Sequence, residues 1–176
     1  MILYFLRHAS AGTRVANPKK DEKRALDKEG IEQCGYVGRT LAALEAPVDV
    51  VVSSPLKRAT QTASLVGNEI GYEGKLQIEN ALRPGSTFAD FRKLLDKYAK
   101  YDAIMVVGHN PNLSEFLGHI IAGGACEASV DLKKCAVARV DLDRTSGTLF
   151  WCITPKLVRT VYAAAAESAR PKTSRK

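Results

Sequence analysis

The sequence predicts an α/β fold, a three-layer αβα sandwich on a mostly parallel sheet of about five or six strands. Three observations point there. Residues 1–6, 49–53 and 103–107 are short, nearly unbroken apolar runs without polar alternation, the pattern of strands buried on both faces. Stretches with apolar residues at helical spacing separate them. Each run also stops abruptly at a polar cluster: Arg7-His8, Ser53-Ser54 and Gly108-His109.

Taken in order, the first strand (Met1-Ile-Leu-Tyr-Phe-Leu6) gives way to Arg7-His8-Ala9-Ser10-Ala11-Gly12. Residues 13–27 are polar and dense in charge, and read as a surface loop beside the Arg7-His8 edge, a candidate lid. Over 27–45, Ile31, Cys34, Val37, Leu41 and Leu44 keep helical spacing, with Asp27 as a cap and Pro47 as the stop. A second strand over 49–53 leads to Ser54-Pro55, which reads as N-cap and N1 of a helix carrying Arg58 in its first turn and ending around 67–71. Residues 75–78 form a weak strand, followed by the loop Leu82-Arg-Pro-Gly85. Thr87 and Asp90 have the spacing of a capping box for a helix reaching about Tyr98. The strand over 103–107 runs into Gly108-His109-Asn110-Pro111, where Asn110 reads as N-cap and Pro111 as N1 of a helix to about Ala122. Residues 135–142 and 148–153 read as a closing hairpin around Ser146-Gly147, which would mix the sheet, and 156–168 as an amphipathic helix.

The chain of 176 residues predicts one domain over 1–169 and a basic, disordered, solubilising tail over 170–176. No apolar run approaches the ~18 residues of a membrane helix. The first run lacks a basic leader and is cut at Arg7, which argues against a secretory signal, so the expected compartment is the cytoplasm. The cysteines, Cys34, Cys126, Cys135 and Cys152, show no Cys-x-x-Cys spacing and no nearby histidine pair. They read as buried free thiols rather than as zinc ligands or a disulfide framework. The net charge of +7 favours anionic partners, while the lack of a basic groove interleaved with aromatic residues argues against nucleic acid.

In a parallel sheet the carboxyl ends of the strands share one edge, where open α/β sheets bind ligands. Arg7, His8, Arg58 and His109 therefore converge on one pocket. Guanidinium groups bind phosphate through paired hydrogen bonds and stay charged, and helix N-termini add positive potential, so the pocket suits a phosphate dianion. Neutral imidazole is a competent nucleophile for phosphorus near neutral pH. The surrounding cations could stabilise the transferring group without a metal or other cofactor, since neither a Walker-type loop nor an acidic metal cluster is present. His119, flanked by Phe116, Leu117, Ile120 and Ile121, reads as structural.

The segments Leu6-Arg-His-Ala9, Ser53-Ser-Pro-Leu-Lys-Arg-Ala-Thr-Gln-Thr-Ala63 and Val107-Gly-His-Asn-Pro111 resemble the histidine phosphatase superfamily, the clan that includes cofactor-dependent phosphoglycerate mutases. Arg-His-Ala, Gly-His-Asn-Pro and the short length are most similar to the bacterial phosphohistidine phosphatases of the SixA type. The resemblance implies that His8 is transiently phosphorylated and that Arg7, Arg58 and His109 bind the phosphoryl group. Most of the superfamily places an acidic proton donor after the third strand. Here that region reads Glu79-Asn-Ala-Leu-Arg-Pro-Gly85 and has no clear counterpart. The SixA-type pattern offers Asp21 instead. If the substrate is a phosphoramidate, its leaving imidazole can already carry the proton, and a strong general acid matters less.

The expected function is therefore a phosphatase working through phospho-His8, with no cofactor. Its partner is either a phosphorylated protein, such as a histidine-phosphotransfer domain, or a small phosphate ester. A mutase would need insertions for which the chain has little room. A phosphoprotein-binding module without turnover is the alternative of a different class.

Overall fold

The strand ends expected to converge do lie side by side. In the computed structural model, which describes residues 1–123, 128–143 and 146–168, six strands form one mixed sheet of order β3-β2-β4-β1-β5-β6. The strands are β1 Ile2–Arg7, β2 Val50–Ser53, β3 Gln77–Ile78, β4 Ala103–Gly108, β5 Val137–Leu142 and β6 Gly147–Ile153. β1, β4, β2 and β3 are mutually parallel; β5 runs antiparallel to β1, and β6 antiparallel to β5. The closing hairpin expected from the sequence is thus what mixes the sheet.

The central strands show why their sequences lack alternation. Leu3, Phe5, Ile104 and Val106 point into one core, while Tyr4, Leu6, Met105 and Val107 point into the other. The first core is covered by α4 Phe88–Lys97 and α5 Asn112–Ala122, through Phe91, Leu94, Phe116 and Leu117. The second is covered by α2 Lys28–Ala43 and α3 Lys57–Glu69, through Cys34, Val37, Leu41, Ala63 and Val66. A strand with helices on both faces has no solvent side on which to place polar residues. α6 Pro155–Ser168 adds a further helix, anchored by buried Val158.

Two of the expected caps are formed. Asp27 caps α2 by accepting from the Gly30 amide at 2.7 Å, and Thr87 with Asp90 forms the reciprocal capping box of α4. Two helix starts fall later than expected. α3 begins at Lys57 with Leu56 as N-cap, and α5 begins at Asn112 with Pro111 as N-cap. Ser54 Oγ still accepts from the Leu56 amide at 3.4 Å, whereas Asn110 Oδ1, the oxygen that would cap, has no partner. Ser54 Oγ lies 2.9 Å from His109 Nε2, and Asn110 Nδ2 donates to the Leu132 carbonyl at 3.0 Å.

Other expectations are corrected. Ile31 and Leu44 are exposed, because the buried stripe of α2 is Gly30, Cys34, Val37, Gly38 and Leu41. Cys152 is exposed on edge strand β6, whereas Cys34 and Cys135 are buried. Residues 13–27 are not bare loop: α1 Pro18–Glu22 is capped by Asn17, and Arg24 donates to the Ala11 carbonyl at 2.7 Å. Cys126 and the basic segment 170–176 lie outside the described residues. No described helix is long and apolar enough to cross a membrane.

The approach of α2 to the polar loop after β1 requires a glycine. A Cβ on Gly30 would sit 2.0 Å from the Ser10 carbonyl oxygen, a backbone atom that cannot swing aside. Gly30→Ala is expected to destabilise the fold by roughly 1–3 kcal/mol, the usual range for overpacking, and to displace residues 8–12. Denaturant unfolding together with phosphate-binding calorimetry checks both effects.

Candidate active site

Backbone register brings the site together. Arg7 lies opposite Gly108 across β1 and β4, and Ser53 opposite Val107 across β2 and β4. The ladder continues one residue past the strands, with the His8 amide donating to Gly108 O at 3.0 Å and the Ser54 amide to Val107 O at 2.9 Å. All three polar clusters therefore leave the sheet at one level. The rings of His8 and His109 come within 4.9 Å, centroid to centroid. Both are buried, as is Arg58, at 8%, 3% and 6% exposure.

His8 is held in one tautomer. Its Nδ1 lies 2.7 Å from the Ala9 carbonyl oxygen, which can only accept, so Nδ1 carries the proton and Nε2 keeps its lone pair. Desolvation by burial lowers its pKa to about 4, and Arg58, Arg7 and Arg24 push the same way against the Ala9 hydrogen bond. His109 is lowered to about 2, first by burial and then by His8, Arg58, Arg7 and Arg24. Both imidazoles are therefore neutral at pH 7.

The arginines are fixed at one end only. Arg7 Nη1 donates to the Leu132 carbonyl at 2.7 Å; Arg58 Nη1 donates to the Asp21 carbonyl at 3.0 Å and to Asp21 Oδ2 at 3.2 Å. Among the described residues, the buried side-chain polar atoms with no partner are Arg7 Nε, Arg58 Nε, His109 Nδ1, Asn110 Oδ1 and Tyr4 Oη. The first three belong to the site, and Asn110 follows it directly. Native proteins leave few buried polar groups unpaired, so this concentration marks a binding site for a group that can accept several hydrogen bonds.

Asp21 does reach the site, but as a carboxylate. Its pKa is lowered to about 2, chiefly by the hydrogen bond from Arg24 (2.8 Å), with the Val15 amide and Arg58 adding to that. In this state it has no proton to give. Glu79, in the region where the wider superfamily has its acid, is turned to Lys97 and to the Tyr98 hydroxyl at 2.9 Å. His119 stacks on Phe88 at 4.7 Å, in keeping with a structural part.

The sequence reading missed the residues that hold the loop 8–12. The Ala9 amide donates to Thr62 Oγ1 at 3.0 Å, and Thr62 Oγ1 donates to the Arg58 carbonyl at 2.7 Å. The Ser10 amide donates to Gln33 Oε1 at 3.0 Å, while Asp27 Oδ2 accepts from the Ser10 hydroxyl at 2.9 Å and from the Gly12 amide at 2.7 Å. The one available signal was that Thr62 follows Arg58 by four residues and so shares its helix face. Among the described residues, no group of three or more His, Cys, Asp and Glu side chains is placed to hold a metal ion.

Comparison with known proteins identifies the family and the fold. Residues 3–84 match the family model for the histidine phosphatase superfamily (branch 1). The chain belongs to the histidine phosphatase superfamily. An uncharacterised protein of Picosynechococcus is 32% identical over 166 residues, covering 89% of this chain and 98% of the relative. Phosphohistidine phosphatase SixA of Escherichia coli K12 is 24% identical over 160 residues, covering 88% and 94%. The solved structure of the protein histidine phosphatase SixA complexed with tungstate aligns with a TM-score of 0.79 at 22% identity, covering 89% of this chain and 98% of that one. This last likeness shows the phosphoglycerate mutase-like fold.

The buried neutral histidines have a consequence for stability. Unfolded histidine takes up a proton near pH ~6.5, whereas folded His8 does so only near about 4 and His109 near about 2. Between those values the unfolded chain binds more protons, so stability falls as pH drops from 7 through 6.5 toward 4. His8→Asn and His109→Asn are each expected to flatten that fall, which urea unfolding at stepped pH measures.

Proposed function

We propose that the protein is a metal-independent phosphatase that removes a phosphoryl group, most suitably from phosphohistidine on a protein, through a covalent phospho-His8 intermediate. The observation that carries the reading is the cluster of partnerless Arg7 Nε, Arg58 Nε and His109 Nδ1 around the neutral His8 ring. In the proposed first step the Nε2 lone pair attacks phosphorus while the bond to the leaving group breaks. Arg7 and Arg58 hold the equatorial oxygens and neutralise their charge. With the Ser54 hydroxyl donating to His109 Nε2, Nδ1–H of His109 is free to donate to a third oxygen. Water then attacks phospho-His8, the P–N bond breaks, and its electron pair returns to Nε2.

Asp21 is assigned the proton transfers. A phosphoryl dianion on Arg58 places negative charge beside the Asp21 carboxylate and raises its proton affinity. With substrate bound, Asp21 can then take up a proton from solvent and give it to the departing ester oxygen, and the carboxylate so restored can accept one from the water that attacks phospho-His8. A leaving imidazole already protonated at its other nitrogen needs no such help, and this favours the phosphoramidate. The similarity to a phosphohistidine phosphatase supports the same substrate class, and a phosphorylated histidine-phosphotransfer domain is the partner proposed with it. A cytoplasmic setting is part of the proposal, since Cys34 and Cys135 share one core as free thiols.

Phosphate release from an aryl phosphate and from a phosphohistidine peptide tests this reading. His8→Asn is expected to lower kcat/KM at least ~10³-fold on both, as for loss of a nucleophile; turnover that survives it contradicts the mechanism. Arg58→Ala should cost ~10²–10³-fold, the scale of one transition-state donor. Asp21→Asn should slow an alkyl phosphate by ~10²-fold and the phosphoramidate by clearly less. Equal losses on the two would remove Asp21 from proton transfer.

A further inference from the structure

One peptide decides which tautomer His8 adopts. His8 Nδ1 lies 2.7 Å from the Ala9 carbonyl oxygen, and that carbonyl shares its peptide plane with the Ser10 amide. The peptide is trans, so its C=O and N–H point to opposite sides. Whatever accepts from the Ser10 amide therefore also aims the Ala9 carbonyl. The acceptor is Gln33 Oε1, at 3.0 Å. The peptides on either side of His8 are held by other groups. The His8 amide donates to Gly108 O at 3.0 Å, the Cys135 amide to His8 O at 3.2 Å, and the Ala9 amide to Thr62 Oγ1 at 3.0 Å.

Gln33 reaches the loop because α2 lies directly against it. Gly30, three residues earlier on the same helix face, admits the Ser10 carbonyl oxygen where a Cβ would meet it at 2.0 Å. The far end of the Gln33 amide is tied as well: Nε2 donates to Glu29 Oε1 at 3.0 Å, one turn back. That bond leaves Oε1, which can only accept, facing the Ser10 amide. Turning the peptide over would bring the Ser10 N–H, a donor, toward His8 Nδ1. The ring would then carry its proton on Nε2, the atom whose lone pair is to attack phosphorus. The two peptide orientations thus correspond to an active and an inactive imidazole.

We propose that Gln33 is a positioning residue for the nucleophile: by accepting from the Ser10 amide it holds the Ala9 carbonyl on His8 Nδ1, and so keeps the Nε2 lone pair free. Its action passes through the Ala9–Ser10 peptide and not through contact with the phosphoryl group. The effect on turnover rests on the phosphatase reading, whereas the effect on the tautomer does not.

Nitrogen-15 NMR of the histidine-labelled full chain at neutral pH reads the tautomer, with His8→Asn identifying the His8 signals. The wild-type chain should carry the His8 proton on Nδ1. Gln33→Leu removes the acceptor and should move most of that proton to Nε2. It should also lower kcat/KM for an aryl phosphate about tenfold, because the rate scales with the fraction of rings in the competent state. Calorimetry with inorganic phosphate should find the affinity of this variant close to that of wild type, since Arg7, Arg58 and His109 are untouched. Exchanging the pair, Glu29→Gln with Gln33→Glu, restores an acceptor for the Ser10 amide and should return tautomer and rate to near wild type. An unchanged tautomer in Gln33→Leu overturns the proposal. So does an equal loss of rate and phosphate affinity, which marks a collapsed loop, or failure of the exchanged pair to restore either readout. Absence of phosphate release by the wild-type chain would remove the phosphatase reading and leave the tautomer measurement to decide the role of Gln33.

Discussion

The site depends on the parallel register of β2, β4 and β1. Hydrogen bonds from the His8 amide to Gly108 and from the Ser54 amide to Val107 extend the ladder one step past the strands, so three chain exits leave the sheet at one height. That single constraint sets the two imidazoles 4.9 Å apart and places the start of α3 where Arg58 meets them. It also explains the core. Strands whose carboxyl ends are to meet must sit in the middle of the sheet, covered on both faces, and their sequences become continuously apolar as a result.

Gathering Arg7, Arg58, Arg24 and two histidines in a buried place carries an electrostatic cost, and the structure shows how it is met. The imidazoles shed their charge, with both pKa values well below the ordinary histidine value. Asp21 keeps its charge and pairs with Arg58 and Arg24. What is left over is the inner edge of each guanidinium and one ring nitrogen, buried without partners. The proposed phosphoryl dianion would answer that remainder in charge, because it brings several acceptor oxygens to unpartnered donors. The neutral state of His8 is thus a product of the same burial that makes the clamp strong.

Much of this was legible in the sequence, for a definite reason. Arg7, His8, Arg58 and His109 sit at junctions where a β period changes to a polar turn, and such junctions are local events that a single chain displays. The order of the strands then places them together. What escaped reading was the support. Thr62, Gln33, Asp27 and the Leu132 carbonyl act through contacts between segments far apart in the chain, and an isolated Gln or a backbone oxygen carries no local mark of that use. The helix starts at Ser54 and Asn110 were misplaced for a related reason. Ser54 turns its hydroxyl to His109 across the site, and Asn110 is oriented by the bond from its Nδ2 to the Leu132 carbonyl, which leaves its capping oxygen unpartnered. Asp21 was legible as a participant and not as a carboxylate, because its ionisation is set by Arg24 and Arg58 in three dimensions.

The claim at the centre is that His8 Nε2 bonds to phosphorus during turnover. Rapid alkaline quenching of the working enzyme, followed by ³¹P NMR of the denatured chain and peptide mapping by mass spectrometry, tests it directly. The account requires a base-stable, acid-labile phosphoramidate on the peptide containing His8, formed faster than phosphate is released and absent from His8→Asn. Steady turnover with no phosphoenzyme at any quench time, or phosphate on a different residue, would contradict it.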